Sequence, residues 1–397
     1  MTNKPIYTFK TLFFEATRDC NFACPMCMAS SNNKPLVAES LKNQLSTDEI
    51  EEYVFKGGKE ITLDTITWSG GEFILRPDAI ELVHKATAYG YSSIVTTNGA
   101  YMDREKLMEL KKASGNTVVI AVGINSIDEK NIETRDIDCQ VALDVLELCE
   151  ELDVRRNVVV TIGKHNLETL GSTLDWLEKK NIPYNRSPFT PRGSGDAFRD
   201  ELGFSADDME RYLHPELRKH PLGYISYTPF FLSPEVHERY SKGSRNVTVP
   251  QNPSIGCWCG TWLAMNAEGD VAPCAIMLDD VNCGNVREKS LYDIVHTSET
   301  FQRILDREQL QGKCGRCRYK FTCGGCRALA YYYNGDVMAE DPTCFFEPED
   351  ETTVSEHEEQ TNKMFKRFAF MQRAADKVIA TERERARLEM ADKIEGD

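Results

Sequence analysis

The chain has 397 residues, a formal net charge of −16 and 41% hydrophobic residues. That length accommodates two or more domains, and the composition is that of an ordinary globular protein. No apolar stretch is long enough to span a bilayer, and so acidic a field repels a phosphate backbone, so neither a membrane nor a nucleic acid is an expected partner. Met1–Pro5 lacks the charged-then-apolar layout of a signal peptide, and the cytoplasm is the expected compartment. The chain carries 14 cysteines. With nothing pointing to export, metal ligation accounts for them better than a disulfide framework.

The run Thr11–Ala16 predicts a first strand that leads straight into Cys20-x3-Cys24-x2-Cys27. A four-iron cluster normally takes four thiolates, so three close cysteines leave one iron open, and an open position marks a reactive centre. Thr65–Trp68 predicts a second strand, ended by Ser69-Gly70-Gly71-Glu72 and followed by a helix near 77–89. The paired glycines allow a ligand to approach the backbone closely, and the carboxylate suits an ammonium group. Ser93–Thr96 is a third strand, ended by Thr97-Asn98-Gly99, whose polar groups suit a ribose; a helix near 103–113 follows. Thr117–Val122 is a fourth, followed by Asn125 and Ser126 and a helix near 140–152. Asn157–Ile162 is a fifth, followed by His165 and Asn166 and a helix at 167–180; Tyr184–Phe189 is a sixth. Taken singly, these Asn, Ser and Gly residues read equally well as turn and cap residues.

Repeated strand-then-helix units imply parallel strands with right-handed crossovers. Six of them predict a partial (β/α)6 TIM-like barrel, with the loops after the strands converging on one mouth. Residues 193–256 are less regular and read as a bridge. Arg192 and Asp196 either border the cavity or form a surface turn. The second cysteine group follows: Cys257, Cys259, Cys274, Cys314-x2-Cys317-x5-Cys323-x2-Cys326 and Cys344. Eight thiolates suit two four-iron clusters. Zinc on two Cys-x2-Cys pairs is the alternative, and would leave four cysteines unused. Cys139, Cys149 and Cys283 stand apart and read as small buried hydrophobes. From about 350 the pattern is helical, with Phe365, Phe368, Met371, Ala375 and Val378 near one face, as for a packing or dimer surface.

Together these motifs resemble the radical S-adenosylmethionine (SAM) superfamily over roughly residues 11–195, through Cys20, Cys24, Cys27, Gly70, Gly71, Glu72, Thr97, Asn98 and Gly99. The resemblance implies a [4Fe–4S] cluster on the three cysteines, with SAM chelating the fourth iron. It also implies SAM contacts from Gly70, Gly71 and Glu72 and from Asn98, Asn125 and Ser126. Met26 would lie by the adenine, where an aromatic residue is usual. Reductive cleavage of SAM would give a 5′-deoxyadenosyl radical that abstracts hydrogen from a substrate. Residues 257–346 resemble the SPASM extension of these enzymes, through Gly284-Asn285-Val286 and Cys323-Gly324-Gly325-Cys326-Arg327. That resemblance implies an outer auxiliary cluster on Cys314, Cys317, Cys323 and Cys344. An inner one would sit on Cys259, Cys274 and Cys326, with Cys257 as fourth ligand. Two residues rather than the commoner three separate Cys323 from Cys326.

The expected organisation is a core domain at 1–195, a bridging segment at 196–256, the auxiliary cluster domain at 257–346 and an acidic helical tail at 347–397. The expected function is oxidative modification of a peptide, with a ferredoxin or flavodoxin as reducing partner. A start of the barrel near residue 11 leaves no room for a leader-binding domain before it. The alternative substrate is a porphyrin, decarboxylated at its propionate side chains, since the Cys323–Ala328 and Asp341–Cys344 runs resemble a haem-pathway subgroup. An alternative of another class is an iron–sulfur electron carrier, which has no use for a SAM site.

Overall fold

The computed structural model describes residues 9–220, 224–225, 257, 259, 262–317 and 323–348. Six strands run parallel and adjacent in chain order: β1 (Thr11–Thr17), β2 (Thr65–Gly70), β3 (Ser92–Thr97), β4 (Val119–Gly123), β5 (Arg155–Ile162) and β6 (Tyr184–Pro188). Helices Ala79–Ala88, Arg104–Ala113, Cys139–Glu151 and Leu170–Lys179 form the connections from β2 to β6. The sequence expectation for this region holds to within two or three residues at each end. Strand β1 is buried along almost its whole length, as befits a parallel strand covered on both faces. Trp68 stacks on Phe73 at 4.9 Å, with Phe14 and Phe55 around it, and its indole N–H donates to Ser93 Oγ at 3.0 Å. The large apolar mass of that cluster therefore costs no unpaired polar group.

Three features were not legible in the sequence. The β1–β2 connection carries a helix, Lys34–Asn43, and helical turns over 47–60 opened by a Ser46–Glu49 capping box. Residues 193–219, which read as irregular, form successive short helical turns. The sheet also does not stop at six strands. Its order is β10-β9-β8-β1-β2-β3-β4-β5-β6-β7, where β7 is Tyr224–Ile225, β8 Trp262–Met265, β9 Asp270–Ala272 and β10 Gly284–Asn285. Strand β8 pairs parallel with β1, Thr11 opposite Trp262 and Phe14 opposite Met265. The cysteine-rich region is thus a continuation of the same sheet; Leu263, Met265, Val271 and Met277 join the main buried core, while Ala264, Ala272 and Leu278 form a small cluster of their own. A four-residue strand is too short to declare itself by periodicity, yet it covers an edge of β1 that would otherwise be unpaired. Cys139 and Cys149 lie in the apolar interior and Cys283 packs against it, with burial pushing the Cys149 thiol up to about 12. The helical stripe 365–378 lies outside the described residues. Among the described residues, no helix is long and apolar enough to cross a membrane.

Candidate active site and cysteine centres

Strand β1 runs Glu15 opposite Ser69 and then Thr17 opposite Gly70, so one extra residue is inserted at its end. Such a bulge bends the strand, and here it directs the chain into the cysteine loop. The loop is hooked to the end of β2. Gly71 N–H donates to Thr17 O at 2.8 Å, and Glu72 N–H donates to Asp19 O at 2.7 Å. The approach is so close that a Cβ on Gly70 would lie 2.0 Å from Thr17 O, and one on Gly71 2.1 Å from Asp19 O. Gly70 also sits at φ +124°, a region open to glycine alone. The sequence reading has the Gly-Gly pair admit a ligand; what it first admits is the backbone that precedes Cys20.

Glu72 is completely buried. Its carboxylate accepts from the Thr97 hydroxyl and the Asn98 N–H, both at 2.8 Å. It therefore braces the end of β3. Burial pushes its pKa up to about 7, against the lowering effect of those two bonds. Asn98 crosses to the cysteine loop, its amide donating to Asn21 Oδ1 at 2.9 Å and lying 3.8 Å from Cys20 Sγ. The loop itself turns through Cys27 N–H to Cys24 O and Ser30 N–H to Cys27 O. Cys20, Cys24 and Cys27 all stay half-buried, with their sulfurs in mutual electrostatic reach. Burial pushes Cys20 up to about 11 and raises Cys24 despite the nearby Arg135 charge. Both are thiols in the metal-free chain, so loading a metal there releases protons. Met26 belongs to this loop, its carbonyl facing Gly195.

Asn125 and Ser126 end β4 as expected, but both are completely buried in their own loop. Asn125 donates to Thr134 Oγ1 at 2.8 Å, and Ser126 donates to Asp128 at 2.8 Å. The Arg135 guanidinium lies against Gly123, where any Cβ would collide with it, and its charge reaches Cys24 and Glu72. Asp196 is an exposed partner of Arg199, whereas Arg192 is buried; the surface-turn reading fails for Arg192.

The second cysteine group divides in two. Cys257, Cys259 and Cys274 hydrogen-bond through their thiols, and Cys326 feels the charge of Cys257 and Cys274. The Cys259 bond, opposed by burial and assisted by Arg307 and Arg327, holds Cys257 below the usual thiol range. Cys259 and Cys326 are raised, the first by its thiol neighbours and burial, the second by burial and Asp341. Cys344 in turn lies in electrostatic reach of Cys314 and Cys317. The Cys323 carbonyl accepts from Cys257 N–H, and its sulfur from Gly325 N–H. Gly324 and Gly325 adopt φ +70° and +61°, a left-handed conformation that glycine takes without strain. A Cβ on Gly325 would lie 2.8 Å from Cys314 Sγ.

Asp341 enters the sequence reading only as part of the Asp341–Cys344 run, and the structure gives it a place of its own. It is completely buried and accepts from Cys326 N–H at 2.7 Å and from the Thr343 N–H and hydroxyl at 2.9 and 2.7 Å. It thereby ties Cys326 to the turn bearing Cys344.

The donor sets fit iron–sulfur clusters. All 14 cysteines are unbridged. The N–H groups of Phe22, Gly325, Leu329 and Asp341 point at the sulfurs of Cys20, Cys323, Cys326 and Cys314 respectively, and such bonds tune clusters. Among the described residues no three His, Cys, Asp or Glu side chains are gathered closely enough for a single metal ion.

Residues 14–177 match the family model described as the radical SAM superfamily, and residues 257–318 match that of an iron–sulfur cluster-binding domain, SPASM. The AdoMet-dependent heme synthase of Methanosarcina barkeri is 29% identical over 88% of this chain and 98% of its own. The PqqA peptide cyclase of Xanthomonas euvesicatoria is 24% identical over 84% of this chain and 87% of its own. In fold, the chain resembles Streptococcus suis SuiB bound to S-adenosylmethionine, with a TM-score of 0.61 at 16% identity, covering 86% of this chain and 78% of SuiB. Residues 14–177 therefore form a radical SAM domain and residues 257–318 a SPASM domain, and the chain is an enzyme. With those two domains come its cofactors, a [4Fe–4S] cluster with SAM and auxiliary iron–sulfur clusters.

Proposed function

We propose that Cys20, Cys24 and Cys27 hold the SAM-binding cluster, and that the enzyme oxidatively modifies a carboxylate-bearing side chain of a tetrapyrrole. The observation that carries the first part is the hooking of the cysteine loop onto Gly70-Gly71-Glu72 and Asn98 at the barrel mouth. When bound, the cluster and SAM supply a carbon-centred radical able to take a hydrogen atom from an unactivated C–H bond. The chain's own part is positional. Glu72 fixes the β3 loop, Asn98 fixes the rim of the cysteine loop, and Arg135 brings a positive charge to the mouth. We assign Cys257, Cys259, Cys274 and Cys326 to one auxiliary cluster, and Cys314, Cys317, Cys323 and Cys344 to the other. The mutual contacts of the first set, and of Cys314, Cys317 and Cys344, support that division.

For the substrate, the heme synthase relative supports a porphyrin, because the likeness extends over nearly all of its length. A peptide is the second reading, favoured by the PqqA peptide cyclase relative and by the fold likeness to SuiB bound to its precursor peptide SuiA. The reducing partner is expected to be a small ferredoxin or flavodoxin. Anaerobic incubation with dithionite and SAM tests the chemistry: the reconstituted protein should form 5′-deoxyadenosine, and Cys24→Ala should not. Full retention by Cys24→Ala would contradict the ligand assignment. A porphyrin product lighter by carbon dioxide and two hydrogens per propionate decides for the first substrate; an unchanged porphyrin alongside a modified peptide decides for the second.

A further inference from the structure

The Pro191–Asp196 segment after β6 holds a side chain that neither the cluster sites nor the barrel mouth accounts for. Arg192 is 1% exposed, and every N–H donor of its guanidinium is engaged. Two go to the Glu15 carboxylate of β1 at 2.7 and 2.9 Å, and one goes to Asp279 at 2.9 Å. The other two go to the carbonyls of Ala275 and Leu278 at 2.9 and 2.8 Å, in the turn that directly follows Cys274. Asp279 is shared: its other oxygen takes the guanidinium of Arg18, which also donates to Ala29 O at 3.0 Å. Arg18 lies two residues before Cys20, and Ala29 two residues after Cys27. Two residues on from Arg192, Ser194 N–H donates to Cys27 O at 3.1 Å, and Ser194 Oγ donates to Asn32 Oδ1. The same short segment thus grips the loop of Cys20–Cys27 and the turn after Cys274.

Ordinary barrel support looks different. Arg76 is also buried, but its partners are Asp78 and the carbonyls of Ala16 and Leu45, all within the barrel half. The partners of Arg192 lie on both sides, on β1 and in the auxiliary region. A guanidinium fork held by two carboxylates and two carbonyls tolerates little displacement of any of them. Asp279, moreover, is held at φ +72°, a conformation that L residues seldom adopt without support.

We propose that Arg192 is a positioning residue that fixes the inner auxiliary site, through the turn after Cys274, against the SAM-cluster loop of Cys20, Cys24 and Cys27. The proposal rests on the assignment of those cysteines as cluster ligands. Spacing and orientation of the two sites then follow from one fork, and a Lys at this position supplies charge without the fork.

Hydrogen–deuterium exchange on the anaerobically prepared, iron-loaded full chain tests this, comparing wild type with Arg192→Lys. Exchange should quicken by about tenfold or more at residues 24–32 and 274–281 together, while amides of β3 to β5 keep their protection. The reduced protein should also show an altered magnetic interaction between its clusters at unchanged iron content. Uniform quickening throughout, loosening of one segment alone, or no change would overturn the proposal. If Arg192→Lys does not fold, Asp279→Asn, which removes the shared charge at the same size, is read in the same way. Absence of iron at either site in the wild type would refute the ligand assignment instead, and that is measured separately.

Discussion

Replacing Gly71 by alanine puts the account of the barrel mouth at risk in one step. The added Cβ would meet Asp19 O at 2.1 Å, Asp19 C at 2.6 Å and Arg18 O at 2.7 Å. All three are backbone atoms, so no side chain can swing aside. Restoring ordinary contact moves the two strand ends apart by roughly 1 Å, which takes both hydrogen bonds between them past the ~3.5 Å at which they cease to count. Those bonds are Gly71 N–H to Thr17 O at 2.8 Å and Glu72 N–H to Asp19 O at 2.7 Å. Losing two such bonds in a partly buried setting costs about 1–3 kcal/mol each, or ~2–6 kcal/mol together. That is a large share of the ~5–15 kcal/mol by which domains are stable. The cheaper escape is for the cysteine loop to unhook while the barrel stays folded. Gly71→Ala is therefore expected to bind about eight irons per chain after anaerobic reconstitution, where three four-iron clusters give about twelve. Its urea midpoint should fall as well. Gly57→Ala is the control: the helical Gly57 has no atom nearer than 4.0 Å to an added Cβ, so the change should be neutral or stabilise by about 0.5–1 kcal/mol. Wild-type stability with all irons present in Gly71→Ala would refute the reasoning.

Glu72 predicts a pH dependence. Its folded pKa of about 7 lies above its ordinary value of 4.5, so the folded chain holds this proton more tightly than the unfolded one. The associated stability is fully present below about pH 4.5 and is lost as pH rises through about 7, by at most ~3 kcal/mol. Glu72→Gln keeps the shape and should flatten that slope in urea midpoints taken between pH 5 and 8; an unchanged slope would assign it to other groups. Asp341→Ala strands the N–H of Cys326 and both donors of Thr343 in the interior. It should lower auxiliary iron while leaving the electron paramagnetic resonance signal of the SAM cluster in place, and a full iron complement would count against the tie between Cys326 and Cys344.

The alternation of β-branched runs with amphipathic stretches determined the six parallel strands, because period and length together distinguish those elements without reference to the rest of the chain. Cysteine spacing likewise pointed to an open iron, since ligands of one cluster loop are neighbours in sequence, and the resemblance carried by it and the Gly70-Gly71-Glu72 strand end implied the chemistry. Tertiary structure decided what depends on distant partners. Glu15 and Arg192 are separated by 177 residues, and no local pattern in an apolar strand or a Pro-Arg-Gly turn announces their pairing. Glu72 reads as a ligand group because its motif is local, whereas its hydrogen bonds to Thr97 and Asn98 at the end of the next strand are not readable there. Strand β8 was invisible for the same reason: four residues carry no period of their own, and only the open edge of β1 makes them a strand. Chemistry was local and so readable, whereas the relative placement of the cysteine centres is a property of contacts across the whole sheet.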